Sequence, residues 1–184
     1  MVYKSKILGK PPIIFITLGT TQFPFNRLYK ALDEALKKLN TTPIIFAQGQ
    51  QGYKWQYDTI TSYEILHPKK FISILKKATH IITQAGPGNL YLISQYSKVF
   101  PFIVAREKTY SEHINDHQVH FQKFIKNHLP KEYRQYIASE QNLKNQLTQY
   151  LNTIPKKNIL NKSIFNKSDK NILMQRLSNY ISKK

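Results

Sequence analysis

Six consecutive apolar or β-branched residues, Ile13-Ile14-Phe15-Ile16-Thr17-Leu18, are closed by Gly19. A run with no polar alternation suits a strand covered on both faces, the situation of a parallel sheet flanked by helices. From Phe25 the period changes. Phe25, Leu28, Tyr29, Leu32, Leu36 and Leu39 recur at helical spacing while Arg27, Lys30, Asp33, Glu34 and Lys37 take the other face. The same alternation continues along the chain. Strands are predicted at Pro43 to Ala47, Tyr63 to Leu66, His80 to Thr83 and Val99 to Ala105, and helices at Phe71 to Ala78, Asn89 to Tyr96 and Ile114 to Asn127. Strands alternating with helices imply right-handed βαβ crossovers, so the expected fold class is α/β, with a single Rossmann-like, doubly wound parallel sheet.

After Pro130 the strand signal fades. A helical stretch is expected near Glu140 to Leu151, then a basic segment, so the chain reads as an α/β domain over residues 1–154 and a basic tail over 155–184. In the tail, Ile172, Leu173, Leu177, Tyr180 and Ile181 form an apolar stripe, with Asp169 in the first turn and Lys183-Lys184 at the end, as the helix dipole favours. That amphipathic helix would pack on its own sheet or dock on a partner or membrane surface.

The chain has no Cys, which excludes a disulfide scaffold, a thiolate zinc site and a Cys nucleophile, and a cytoplasmic protein fits best. Its longest apolar stretches, Pro11 to Leu18 and Val99 to Ala105, fall far short of the roughly 20 residues that cross a bilayer. Lys4, Lys6 and Lys10 ahead of the first apolar run imitate a signal peptide. Pro11-Pro12 open that run, however, and Gly19-Thr20-Thr21 close it without a small-residue cleavage site. The 28 Lys and Arg against 10 Asp and Glu give a net charge of +18. Such an excess points to an anionic partner, nucleic acid or anionic lipid, or to solvated lysine-rich faces.

In open α/β sheets, ligands bind beyond the carboxyl ends of the strands, so the chemistry is sought in the strand-end loops. The first is Leu18-Gly19-Thr20-Thr21-Gln22-Phe23, where Gly19 allows close backbone approach and Thr20 and Thr21 offer hydroxyls ahead of a helix. It suits a phosphate; a tight βα turn would use the same residues. The second is Thr83-Gln84-Ala85-Gly86-Pro87-Gly88-Asn89, which opens a helix and can aim N–H groups at an anion such as a diphosphate. It lacks the third Gly of a dinucleotide fingerprint and the Gly-Lys-Ser/Thr ending of a P-loop. The third runs from Arg106 through Glu112, His113 and Asp116 to His117 and Gln118, a polar set suited to a hydroxyl-rich ligand. His113 and His117 are spaced for a metal if helical, but Asp116 and Gln118 point elsewhere, so no metal is expected.

These loops, in this order, resemble the C-terminal, nucleotide-sugar-binding half of GT-B glycosyltransferases of family 28. The likeness is greatest to the soluble catalytic subunits of two-part enzymes of lipid-linked oligosaccharide synthesis and to their bacterial capsular and exopolysaccharide counterparts. It rests on Ile16-Thr17-Leu18-Gly19-Thr20-Thr21, Ile82-Thr83-Gln84-Ala85-Gly86-Pro87-Gly88 and Glu112-His113-Ile114-Asn115-Asp116-His117-Gln118. The resemblance implies inverting transfer from a UDP-sugar to a polyprenyl-diphosphate-linked saccharide at the inner face of the plasma membrane, without a metal or other cofactor. It places Gly19, Thr20, Thr21, Gly86, Gly88 and Asn89 at the donor diphosphate and Glu112, His113, His117 and Gln118 at the donor sugar. Gln84 and Arg106 would complete the pocket. His113 is a weak candidate for the catalytic base, which is expected instead on a partner.

The chain departs from the family pattern at two positions. Gln84 stands where the family often has His, and Leu92 where it often has a Glu for the ribose hydroxyls, so the ribose contact must come from elsewhere. A complete GT-B enzyme also needs a second domain for the acceptor. The resemblance assigns that half to a membrane-anchored acceptor-binding subunit. Two other readings stand beside it: a basic nucleic-acid-binding module without catalysis, resting on charge alone, and a non-catalytic scaffold, suggested by Leu92.

Overall fold

The computed structural model describes residues 11–39, 41–49, 52–57 and 59–165. Five parallel strands form one sheet: β1 (Ile13–Thr17), β2 (Ile44–Gln48), β3 (Ile60–Tyr63), β4 (His80–Gln84) and β5 (Phe102–Val104), in the spatial order β3-β2-β1-β4-β5. The helices are α1 (Asn26–Leu36), α2 (Pro68–Lys77), α3 (Pro87–Tyr96), α4 (His117–His128), α5 (Leu143–Leu151) and the single turn α6 (Leu160–Ser163). The expected class, an α/β domain with a Rossmann-like parallel sheet, is the fold found.

The apolar run makes the central strand. β1 pairs with β2 from Ile13↔Ile44 to Thr17↔Gln48 and with β4 from Ile14↔His80 to Thr17↔Thr83. Ile14, Phe15 and Ile16 are at most 1% exposed, as a strand covered on both faces requires. Each such side chain contributes about 1.5–3 kcal/mol by leaving water. Leu28, Tyr29, Leu32 and Leu36 of α1 close over one part of the sheet, as their spacing predicts. Pro68 opens α2 at a position where its missing N–H costs nothing, and His67 Nδ1 accepts from Lys69 N at 3.3 Å. Lys76 and Lys77 lie in the last turn of α2, where cations suit the dipole.

β3 lies earlier than the predicted Tyr63 to Leu66. It runs over Ile60–Tyr63 because that stretch holds the register with β2, from Ile45↔Ile60 to Gln48↔Tyr63. The chain then leaves the sheet: Ile65 is 68% exposed, and Leu66 returns to the core from a turn. β5 is likewise shorter than the apolar run Val99 to Ala105, since Val99 bridges Lys157 instead.

The amino-terminal side of the sheet is tied down by α5. Fully buried Tyr150 accepts from Ile81 N at 3.0 Å and points its hydroxyl at the carbonyls of Ile81 and Phe100, at 3.1 and 3.0 Å. Burial raises its pKa well above the ordinary tyrosine value. His80 Nε2 meets Thr153 O at 2.9 Å and its Nδ1 lies 3.0 Å from Thr79 Oγ1; burial lowers its pKa and keeps the ring neutral. Beyond α5, Phe100 N donates to Lys156 O, Asn158 Nδ2 donates to Ile93 O at 2.9 Å, and Leu160, Ile164 and Phe165 are buried. The amphipathic helix expected from Ile172 to Ile181 lies outside the described residues. Among the described residues, no helix is long and apolar enough to cross a membrane.

This topology fixes where loops diverge. From β1 the chain proceeds to β2 on one side, whereas β4, the other neighbour of β1, leads away to β5. The connections leaving the carboxyl ends of β1 and β4 therefore part from each other, and a crevice opens between them.

Candidate functional site

The loop after β1 is shaped by contacts between backbones. Gly19 and Gly49 have φ of 74° and 78°, a region costly for residues with a Cβ. A Cβ on Gly49 would stand 2.0 Å from Gly19 O, so the turns ending β1 and β2 press directly on each other. Leu18 N donates to Gln48 O and Tyr29 Oη donates to Gly49 O, at 3.2 and 2.9 Å. Burial pushes the Tyr29 hydroxyl pKa up to about 12, so it stays a donor. The N–H groups of Gly19 and Thr20 donate to no described residue; Thr21 Oγ1 accepts from Phe23 N at 3.4 Å.

Across the crevice, α3 begins with Gly86 as N-cap and Pro87 at its first position, with no side-chain cap. The N–H groups of Gly88 and Asn89 are left without an acceptor among the described residues, at the positive end of the dipole. The Asn89 side chain is occupied, since Nδ2 reaches Thr17 O and Oγ1 at 3.3 and 3.1 Å and ties α3 to β1. Gln84, 9% exposed, ends β4 between the two loops. Its Nε2 stands 2.3 Å from where a Cβ on Gly19 would be and 3.1 Å from that of Gly86.

The third loop is built around two arginines. Arg27 of α1 donates to Glu112 from Nε and NH2, at 3.2 and 2.8 Å, and its NH2 also meets Glu107 at 3.1 Å and Ala105 O at 3.0 Å. Tyr110 lies against the Arg27 guanidinium, 4.9 Å from its centroid. Ser111 turns the chain at φ 55°, and Glu107 N and Lys108 N donate to Glu112 and Asp116 at 3.2 and 2.8 Å. Arg106 is completely buried and donates to Gln84 Oε1 at 2.6 Å, to Phe23 O at 2.8 Å, and to Pro24 O, Glu112 O and Leu18 O, each at 3.3 Å. Burial lowers its pKa, and nearby Tyr29 and Glu112 oppose that shift.

From α4, Gln118 Oε1 accepts from Arg106 N at 3.1 Å and Gln122 Oε1 from Ala105 N at 2.7 Å, supplying the acceptors that a further strand would give. The rings of His113 and His117 meet edge to face at 4.3 Å, His117 Nδ1 is bonded to Asn115, and Phe23 of the first loop lies 5.9 Å from His113.

The structure thus brings all three loops together at one end of the sheet. It also sorts the expected ligand contacts into a rim and a floor. Thr20 and Gly88 are exposed, Gly19, Thr21 and Asn89 half-buried and Gly86 buried, while His113 and His117 are half-buried, with Phe23 of the first loop beside His113. Glu112 and Gln118, expected at the donor sugar, and Arg106, expected to complete the pocket, are 2%, 3% and 0% exposed, and their polar groups have protein partners. Burial and complete pairing make them the floor that holds the loops. Gly49, Arg27 and Gln122 were missed. Only the Gly49 turn had a local signal, a glycine two residues beyond the predicted strand Pro43 to Ala47; the others act through partners remote in sequence. Chemically, the arrangement offers backbone N–H donors from two loops at one end of the sheet, a chemistry suited to an anion.

No curated protein matches the chain. Among solved structures, it is similar to the crystal structure of MurG from Acinetobacter baumannii, at 17% identity and a TM-score of 0.46. The match covers 91% of this chain and 50% of the MurG chain, so the chain spans half the length of that protein. Residues 13–177 match the glycosyltransferase family 28 C-terminal domain, and the chain belongs to that family.

Proposed function

We propose that this chain is the donor-binding half of an inverting glycosyltransferase that moves a sugar from a UDP-sugar to a polyprenyl-diphosphate-linked acceptor. It would work with a membrane-anchored subunit that binds the acceptor and carries the catalytic base, at the inner face of the plasma membrane, in capsular or exopolysaccharide synthesis. The observation that carries this reading is that the N–H groups of Gly19 and Thr20 and those of Gly88 and Asn89 at the α3 start, in loops brought to one end of the sheet, have no acceptor among the described residues, in a chain of this family.

In the proposed reaction the acceptor hydroxyl attacks the anomeric carbon from the face opposite the diphosphate. The bond from that carbon to the β-phosphate oxygen breaks, UDP leaves with the electron pair, and the hydroxyl proton passes to the base. Negative charge grows on the leaving diphosphate, where fixed amide donors and the helix dipole oppose it. Removing one such donor typically costs about 2.7–4 kcal/mol of transition-state stabilisation. Half-buried His113 and His117, the former against Phe23 of the first loop, would line the donor hexose.

The test is a calorimetric titration of the chain with UDP and UDP-sugars, beside a titration with duplex DNA at two salt concentrations. Saturable UDP binding with weak, salt-sensitive DNA binding supports the reading. Tight DNA binding without UDP binding replaces it with the nucleic-acid module that the +18 charge would explain. Transfer assays in membranes co-expressing the proposed partner test the two-part arrangement, and sugar transfer by the chain alone would contradict it.

A further inference from the structure

Arg106 is out of reach of any ligand, since it is 0% exposed, yet it touches every part of the candidate site. One planar group holds the first loop at Leu18, Phe23 and Pro24, the end of β4 at Gln84 and the third loop at Glu112, with the Phe25 ring 4.5 Å away. A guanidinium has only donors. The 2.6 Å contact from its Nε therefore decides which end of the Gln84 amide faces it: Oε1 must point at Arg106, and Gln118 Nε2, 3.4 Å from the same oxygen, favours the same orientation. Nε2 is then turned toward the crevice, between Gly19 and Gly86, where it donates to no described residue.

We propose that Arg106 is the positioning residue of the donor site, acting through Gln84 by presenting the amide Nε2 as a fixed donor to an anionic diphosphate oxygen lodged between Gly19 and Gly86. The proposal rests on the donor-site reading above and adds to it a side-chain donor and the group that sets its polarity. A flipped amide would place NH2 against the guanidinium and a carbonyl oxygen against the anion, two repulsive contacts in place of two attractive ones. The arrangement fixes the sign of the side-chain dipole at the rim while leaving the buried charge itself untouched by ligand.

Gln84→Glu separates this role from a packing role. Glutamate keeps an oxygen for the Arg106 Nε and so keeps the fold, with a thermal midpoint no lower than that of the wild type. It replaces the rim donor with a carboxylate oxygen, and UDP affinity measured by calorimetry should fall at least tenfold. Arg106→Lys keeps the charge but cannot span the three segments, and should also weaken UDP binding. In a Gln84→Leu background, Arg106→Lys should cost less than it does alone, because the part of its effect exerted through Gln84 is already lost. Wild-type affinity in Gln84→Glu, or additive losses in the double variant, would overturn the proposal; if Arg106→Lys fails to fold, Gln84→Glu decides alone. Absence of UDP binding by the wild-type chain would remove the donor-site reading itself and this inference with it.

Discussion

Replacing Gly88 with alanine separates what the fold requires from what a ligand requires. Gly88 is the second residue of α3, its φ is not positive, and a Cβ built on it meets no atom within 4 Å. The protein's own packing thus gives no reason for a glycine there. Alanine is favoured over glycine inside a helix by up to about 1 kcal/mol, so the variant should be as stable as the wild type or slightly more so. For a domain of this size, 1 kcal/mol moves the thermal midpoint by about 2–4 °C. Ligand binding should move the opposite way. A diphosphate lying on the Gly88 and Asn89 amides would meet the new methyl group and stand off from its donors. A tenfold loss of UDP affinity, about 1.4 kcal/mol, is the minimum expected. Differential scanning calorimetry and isothermal titration on the same preparation read both quantities. A less stable Gly88→Ala variant would refute the packing argument, and unchanged UDP affinity in a stable variant would move the diphosphate away from α3.

Gly49→Ala should act on the fold itself: its φ of 78° and the 2.0 Å approach to Gly19 O predict a loss of at least about 2 kcal/mol in urea unfolding. Tyr150→Phe removes the partner of Ile81 N inside the core and should cost about 1–3 kcal/mol by the same measurement, with UDP affinity unchanged. His80 is held below its ordinary value of 6.5 by burial, so the unfolded chain takes up the proton first. Stability is therefore complete above that value and declines as pH falls through it toward the folded-state value, so the drop in thermal midpoint between pH 7.5 and 5 should be smaller in His80→Gln.

Most of the architecture was legible because it rests on local periodicity. A β-branched run reads as a buried strand and a helical spacing as an amphipathic helix without knowledge of the partner. β3 was misplaced because it lies at the edge of the sheet with Thr61 and Ser62 exposed, where pairing with β2 rather than hydrophobicity sets its limits. Charged side chains were the other failure. Asp33 fits the polar face of α1 in sequence, yet it is 2% exposed and accepts from Tyr53 Oη and Gln56 N at 2.6 and 3.1 Å. Arg106 and Glu112 likewise sit in the most polar loop of the sequence and turn out to be buried. Arg27, which pairs with Glu112, lies 85 positions from it, and Leu18, which accepts from Arg106, lies 88 positions away; no local pattern encodes such pairings.

The contact between Gly19 and Gly49 has a mechanical consequence. With backbone resting on backbone at the tips of β1 and β2, neither turn can swing without driving the other, so that half of the sheet's edge responds to load as a single block. The third loop is joined to this block in turn, because Arg106 holds Glu112 O together with Leu18, Phe23 and Pro24, and Arg27 ties Glu112 to α1. Amide exchange would expose the coupling: the N–H groups of Leu18 and Gly49, bonded to Gln48 O and Tyr63 O, should exchange slowly and at similar rates, and Gly49→Ala should speed both.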